Sequence, residues 1–374
     1  MTLPDSIPYR RLFPWLHLFR TIGMAVSLRQ LIVAAGAISA LGLGQSLLER
    51  LAPDVNPLAV ISDWNLERET GRKSPASGAW IAQLTSETAR PWADVLRSAA
   101  AVLADGETAA GRLKAAGFCF WAIAIWSLFG LAACRLAARQ FTGHQDGSLR
   151  KAVQFGVTRW MHAVIAPLLP TAAAVVVMTP ALLAAFAGRI PSVGPAFAMM
   201  AGPVVLTFGL AGAFLMIAVL LGWPLMVAAI ATDDCDGFGG LSRSYSFWTS
   251  RPWYFAWCWI IVAGCGMVAM SLAHGVAHCT GHLTGLLIQI GLADTPSAPF
   301  AISTVEFLIQ LGLRAYALSF FWTSATIIYA VLRQSVDGMP LDTMAPDDDE
   351  RPPRDPLPVV GIPAVSPDSS GVAG

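Results

Sequence analysis

Residues 197–231 read FAMMAGPVVLTFGLAGAFLMIAVLLGWPLMVAAIA, thirty-five positions without one charged side chain. A helix that crosses a hydrocarbon core about 30 Å thick needs about 20 mostly apolar residues. This run is therefore a membrane span with length to spare. It must tilt, or break near Pro224, where Trp223 would mark the interface.

Five further spans follow from the same criterion: Leu31–Leu48, Ala115–Ala133, Met161–Ala187, Tyr254 to about His278, and Ala315–Leu332 with a helical approach from about Ile302. The chain is thus expected to be an all-α membrane protein, a bundle of about six transmembrane helices. Composition agrees. Of 374 residues, 55% are hydrophobic and 13% charged, with 24 basic and 24 acidic side chains and a mean hydropathy of +0.58. Too few polar residues remain to cover one soluble core. The same figures exclude a disordered chain and a nucleic-acid binder with a large basic face. None of the six cysteines shows CxxC spacing, and 51–114 holds none, so no disulfide framework is expected.

Short loops set the orientation. With the N-terminus inside, the inner side holds Arg10, Arg11, Arg20, Arg29, Arg135, Arg139, Arg150, Lys151, Arg159, Arg243, Arg251, Arg333, Arg351 and Arg354. The short outer loops hold only Arg189 and Arg314. The positive-inside rule then puts both termini in the cytoplasm and the chain in the cytoplasmic membrane. The apolar run begins only near residue 31, so 31–48 reads as an uncleaved first span after a cytoplasmic or interfacial segment 1–30. Residues 49–114 form an extracytoplasmic loop domain. Within it Trp92, Val95, Leu96, Ala99 and Leu103 recur at helical spacing, which predicts a short helix on the bundle or on the outer membrane surface. The bundle continues over 115–344. The proline-rich, acidic tail 345–374 is expected to be disordered.

Three stretches precede the outward-going spans: Phe19 to Arg29, Leu149 to Trp160, and Ser242 to Trp253. Their arginine pairs, Arg20/Arg29, Arg150/Arg159 and Arg243/Arg251, stand nine, nine and eight residues apart. Each stretch carries a narrow apolar stripe. The pattern predicts three repeats of interfacial helix plus two spans, with interfacial helices near 148–160 and 236–250. The six arginines would then sit at lipid phosphates.

The segments Gly222-Trp223-Pro224-Leu225-Met226, Cys235-Asp236-Gly237-Phe238, Leu241-Ser242-Arg243-Ser244-Tyr245 and Arg251-Pro252-Trp253-Tyr254 carry a resemblance, with Pro14 to Arg20 and Ile328 to Gly338. Together they resemble an uncharacterised family of multi-pass integral membrane proteins from planctomycete-type bacteria, over roughly residues 10–340. The Leu-Ser-Arg-Ser-Tyr element is also distantly similar to the helical membrane domain of some glycerophosphodiester phosphodiesterases, whose catalytic barrel has no counterpart here. The resemblance implies a topology and no activity. Gly237, Gly239 and Gly240 stand where better helix formers are expected, at about 1 kcal/mol each relative to alanine.

Few residues suggest chemistry. His274, His278 and His282 fall at i, i+4 and i+8, beside Cys279. Imidazoles at i, i+4 can share a zinc ion, but the first and third stand about 12 Å apart on a straight helix. Two of them, with ligands from elsewhere such as Asp94, Asp105 or Glu107, are the most that one ion could take. The plainer reading is a polar stripe on the bundle. Asp233, Asp234 and Asp236 could bind a cation; capping and pairing with Arg243 is simpler. Glu306 and Arg314 are expected at the interface, with the arginine snorkelling. No P-loop, nucleophile elbow, HExxH or dinucleotide fingerprint occurs, and none of the prolines in the third and fourth spans has a mid-membrane charge beside it.

The expectation is a non-catalytic membrane protein, without cofactor, that organises membrane lipids or membrane and cytoplasmic protein partners, and not nucleic acid. A transporter or permease component is the alternative; a metal-dependent membrane enzyme is the third class.

Overall fold

The computed structural model describes residues 13–51, 89–103, 108–143, 148–187, 194–292, 295 and 297–344. Asp105, Glu107, Arg351, Arg354, most of the 49–114 loop and the 345–374 tail lie outside these. Among the described residues the chain is helical, without strand. A 3₁₀ turn, Pro14–Phe19, leads into α1 (Arg20–Ala25) and α2 (Leu28–Leu51). Then come α3 (Arg90–Leu103), α4 (Ala109–Thr142), α5 (Leu149–Ala187), α6 (Gly194–Asp233), α7 (Gly237–Ser250), α8 (Pro252–Gly291) and α9 (Ala298–Asp337). Six of these, α2, α4, α5, α6, α8 and α9, are long and apolar enough to cross a membrane.

The last helix is the central one. Every residue of α9 from Leu313 to Arg333 is buried. Ser319 Oγ donates to the Ala25 carbonyl of α1 at 2.8 Å. Trp322 meets Trp223 of α6 edge-on, with ring centroids 5.9 Å apart, and Phe247 of α7 lies 5.4 Å from Tyr329. Gly130 of α4 leaves the room that the Trp322 indole fills; a Cβ there would fall 2.8 Å from it. The cause is composition. Of the six spans α9 is the least apolar and α6 the most, and α5 and α6 leave most of their surface outward. Ser319 finds its partner on α1 and Thr326 in its own helix, at the Trp322 carbonyl; a helix that also carries Thr323 and Ser324 gains less from lipid than its more apolar neighbours and is the one enclosed.

The helices outrun the spans read from the sequence. α5, α6, α8 and α9 have 39, 40, 40 and 40 residues, about 60 Å each at 1.5 Å per residue. Despite Pro167, Pro170 and Pro180 in α5, and Pro203 and Pro224 in α6, both are continuous. The break considered at Pro224 does not occur, and Trp223 is buried against Trp322.

The interfacial stretches differ from one another. The first is interrupted at Val26–Ser27 before α2. The third, α7, stops at Arg251, whose extended φ of −138° precedes Pro252, because a residue before proline is pushed out of the helical region. The second is not separate. Residues 149–160 run straight into the third span as one helix, α5, since no glycine–proline punctuation stands between Thr158 and Met161.

Two glycines show how closely these helices approach. A Cβ on Gly156 of α5 would lie 2.8 Å from the Leu128 carbonyl oxygen of α4, and one on Gly237 would lie 2.7 Å from the His162 carbonyl oxygen of α5. The poor helix former at 237 is what lets α7 seat on α5.

Helix α3 packs into the bundle. Trp92 lies 5.0 Å from Trp259 of α8 and 5.1 Å from Phe321 of α9, ring centre to ring centre. Trp259 is only seven residues from the start of α8, about 10 Å along its axis. The buried face runs through Pro91, Asp94, Ser98 and Ala101, while Leu96 is exposed. The predicted stripe is thus rotated, because Ser98 and Ala101 allow a closer approach than the leucine would. Arg314 also departs from the interfacial expectation. Only 3% of it is exposed, since it opens the enclosed part of α9. Glu306, one helical stretch earlier, is exposed.

Candidate functional site

The charged end of the bundle is built on the last turn of α6. The chain leaves that helix at Asp233, turns at Asp234 in the left-handed region with φ of 51°, and re-enters helix after Asp236. Asp236 caps α7 by accepting the Gly239 N–H at 2.7 Å, satisfying one of the donors that a helix start leaves unpaired. At the other side of the turn, Arg135 of α4 donates from Nη1 to the Ala231 carbonyl at 2.9 Å. That carbonyl belongs to the negative end of the α6 dipole, where a cation is favoured. The Arg135 guanidinium also lies over the Phe155 ring at 4.7 Å.

Asp233 is the junction. Its side chain is 6% exposed. Oδ2 accepts from the Tyr329 hydroxyl at 2.6 Å and from Arg243 Nη1, and Oδ1 stands 3.5 Å from Arg333 Nη1. One carboxylate thereby joins α6, α7 and α9. Asp234 pairs with Arg159 of α5 at 2.9 Å. Buried Arg139 lies near the end of α4. Capping and ion pairing thus account for the three aspartates.

The six arginines expected at lipid phosphates fall into three groups. Arg159 and Arg243 are engaged with Asp234 and Asp233, yet 34% and 45% of their side chains remain exposed. A guanidinium has five N–H donors, so one aspartate leaves donors facing outward. Arg20 is half-buried with its guanidinium 4.8 Å from the Phe141 ring. Arg29, Arg150 and Arg251 are exposed, as is Lys151. Arg135 and Arg333 entered the sequence reading as orientation signals, and Tyr329 only within the segment Ile328 to Gly338. Their only signal was polar or charged identity at the end of an apolar helix, and the contacts that give them a role span about a hundred residues.

Cys235 stands in the same turn, half-buried. Its thiol is pushed up to about 11, foremost by burial, and also by the neighbouring Asp236 and Asp234 carboxylates. Thiolate chemistry is therefore disfavoured there.

The histidines lie at the opposite end of α8. His274 is half-buried, with Nδ1 2.9 Å from the Met270 carbonyl. His278 and His282 are exposed, with ring centroids 4.4 Å apart and ring planes at 63°. Asp94 is buried in α3. Among the described residues no three His, Cys, Asp or Glu side chains come together as a metal site.

Six long apolar helices, one of them enclosed by the others, with arginines gathered at one end, are the architecture of a multi-pass membrane protein. Comparison of the chain with protein families, with curated proteins and with solved structures gave no match.

Proposed function

We propose that this chain is a non-catalytic protein of the cytoplasmic membrane, with both termini in the cytoplasm, whose arginine-bearing end gathers anionic lipid and holds partner proteins there. The observation that carries the reading is the state of Arg159 and Arg243. Each is fixed by an aspartate and still has part of its side chain exposed, and Arg150, Lys151 and Arg251, at the starts of α5 and α8, are exposed as well. A guanidinium already ordered by one carboxylate loses little further freedom on meeting a lipid phosphate, and each basic group near an anionic surface contributes about 1 kcal/mol. Against the transporter alternative stand the continuity of the proline-bearing helices and the occupation of the bundle centre by α9.

The test is lipid analysis of protein purified in mild detergent. Replacing Arg243 and Arg251 by glutamine is expected to lower the co-purifying anionic lipid, with zwitterionic lipid unchanged. An unaltered lipid complement would reduce these arginines to orientation signals and bundle ties. Identification of co-purifying proteins tests the partner half of the proposal.

A further inference from the structure

The far end of α8 carries a feature that the lipid reading does not use. Residues four apart on a helix stand one above the other on the same face, and here the two imidazoles at 278 and 282 touch, with centroids 4.4 Å apart. Both are exposed, on a helix face that also carries exposed Ser271 and Gln289 and half-buried His274. Neither ring lies in the first or last turn of α8, so neither serves as a cap. Among the described residues, the ring contact of each is the other imidazole.

We propose that His278 and His282 form a two-imidazole chelate for a divalent late transition metal of the zinc, nickel or copper class. Two nitrogens bound to one tetrahedral ion at about 2.0–2.1 Å stand about 3.3 Å apart. Rings with centroids 4.4 Å apart reach that separation by rotation about their side-chain torsions, with no movement of the backbone. Imidazole selects these metals over magnesium and calcium, which take oxygen ligands. The other two coordination positions face outward and take water, since no third protein ligand joins the pair among the described residues. His274 is excluded from the pair. It stands about 12 Å along the axis from His282, too far for both to reach one ion, and the ring in contact with His278 is that of His282. Cys279 points about 100° around the helix from His278, off the shared face.

The site rests on the geometry of α8 alone and lies at the opposite end from the arginines, so its failure would leave the lipid reading untouched, and the reverse. The experiment is calorimetric titration of the full-length protein in detergent, stripped with chelator, with zinc chloride. One site per chain is expected. His278→Ala or His282→Ala should weaken it by about tenfold or more, His274→Ala should leave it within about twofold of wild type, and excess magnesium should not compete. Cobalt substitution supplies a second readout, the visible absorption of a low-symmetry site, lost in the same two variants. Because both rings are exposed, metal-free variants should unfold at the wild-type temperature; His278→Gln and His282→Gln serve should an alanine variant unfold early. Unchanged zinc affinity in the double variant, or an equal loss with His274→Ala, would overturn the assignment.

Discussion

The Tyr329 hydroxyl donates to the Asp233 carboxylate at 2.6 Å, tying the last turns of the central helix to the last turn of α6 across 96 residues of sequence. The same carboxylate faces Arg333, which is mostly buried, and Arg243, which is not. The three contacts therefore differ in worth. Removing the shared carboxylate strands a buried guanidinium, a loss of about 3–5 kcal/mol. A hydrogen bond to a charged group contributes about 1.5–3 kcal/mol. A half-exposed ion pair contributes at most about 1 kcal/mol. Thermal unfolding in detergent should therefore rank Asp233→Asn as most destabilised, then Tyr329→Phe, then Arg243→Gln. A Tyr329→Phe variant as stable as wild type would remove the tie from the account.

Cys235 reports the orientation. In a variant retaining this cysteine alone, an impermeant thiol reagent should label the protein only after the membrane is opened; labelling in intact spheroplasts would invert the topology. Because the thiol is pushed up to about 11, the thiolate is scarce at neutral pH. The labelling rate of opened membranes should rise about tenfold per pH unit toward that value. Asp236→Asn, which removes a carboxylate that disfavours the thiolate, should speed labelling at fixed pH.

Two glycine substitutions should act with opposite sign. A Cβ on Gly156 meets the Leu128 carbonyl oxygen, whereas one on Gly264 of α8 meets nothing within 4 Å. Gly264→Ala should stabilise by about 0.5–1 kcal/mol through the lower chain entropy of alanine in a helix. Gly156→Ala should lower the unfolding temperature, because backbone cannot yield as a flexible side chain can. Equal shifts in both variants would show that α4 and α5 are not in close contact.

Trp92 anchors α3 between α8 and α9. Trp92→Ala removes a large, partly buried ring, at a loss below the roughly 3–5 kcal/mol of a fully buried one. Limited proteolysis should then cut within 90–103 at protease concentrations that leave the wild-type helix intact. Unchanged protection would place the anchoring of α3 on its contacts with α4 instead.

Much of this architecture is legible in the chain by itself. The six apolar runs specify six spans because water and lipid sort side chains one at a time, and a run such as 197–231 has no other environment. Arginines gather at span ends for the same reason, and Asp236 announces the start of α7 because capping is local. The spacing of His278 and His282 likewise puts them on one face before any packing is known. Packing alone decided which neighbours enclose α9, that Arg314 is buried with it, that 149–160 continues into the third span as one helix, and that Asp233 faces Tyr329, Arg243 and Arg333. Apolar length measures the cost of leaving lipid, which is the same on every side of a helix. Which neighbour a helix meets depends on the fit of side chains such as Trp322 against Gly130, and that fit exists only between segments brought together by the whole fold.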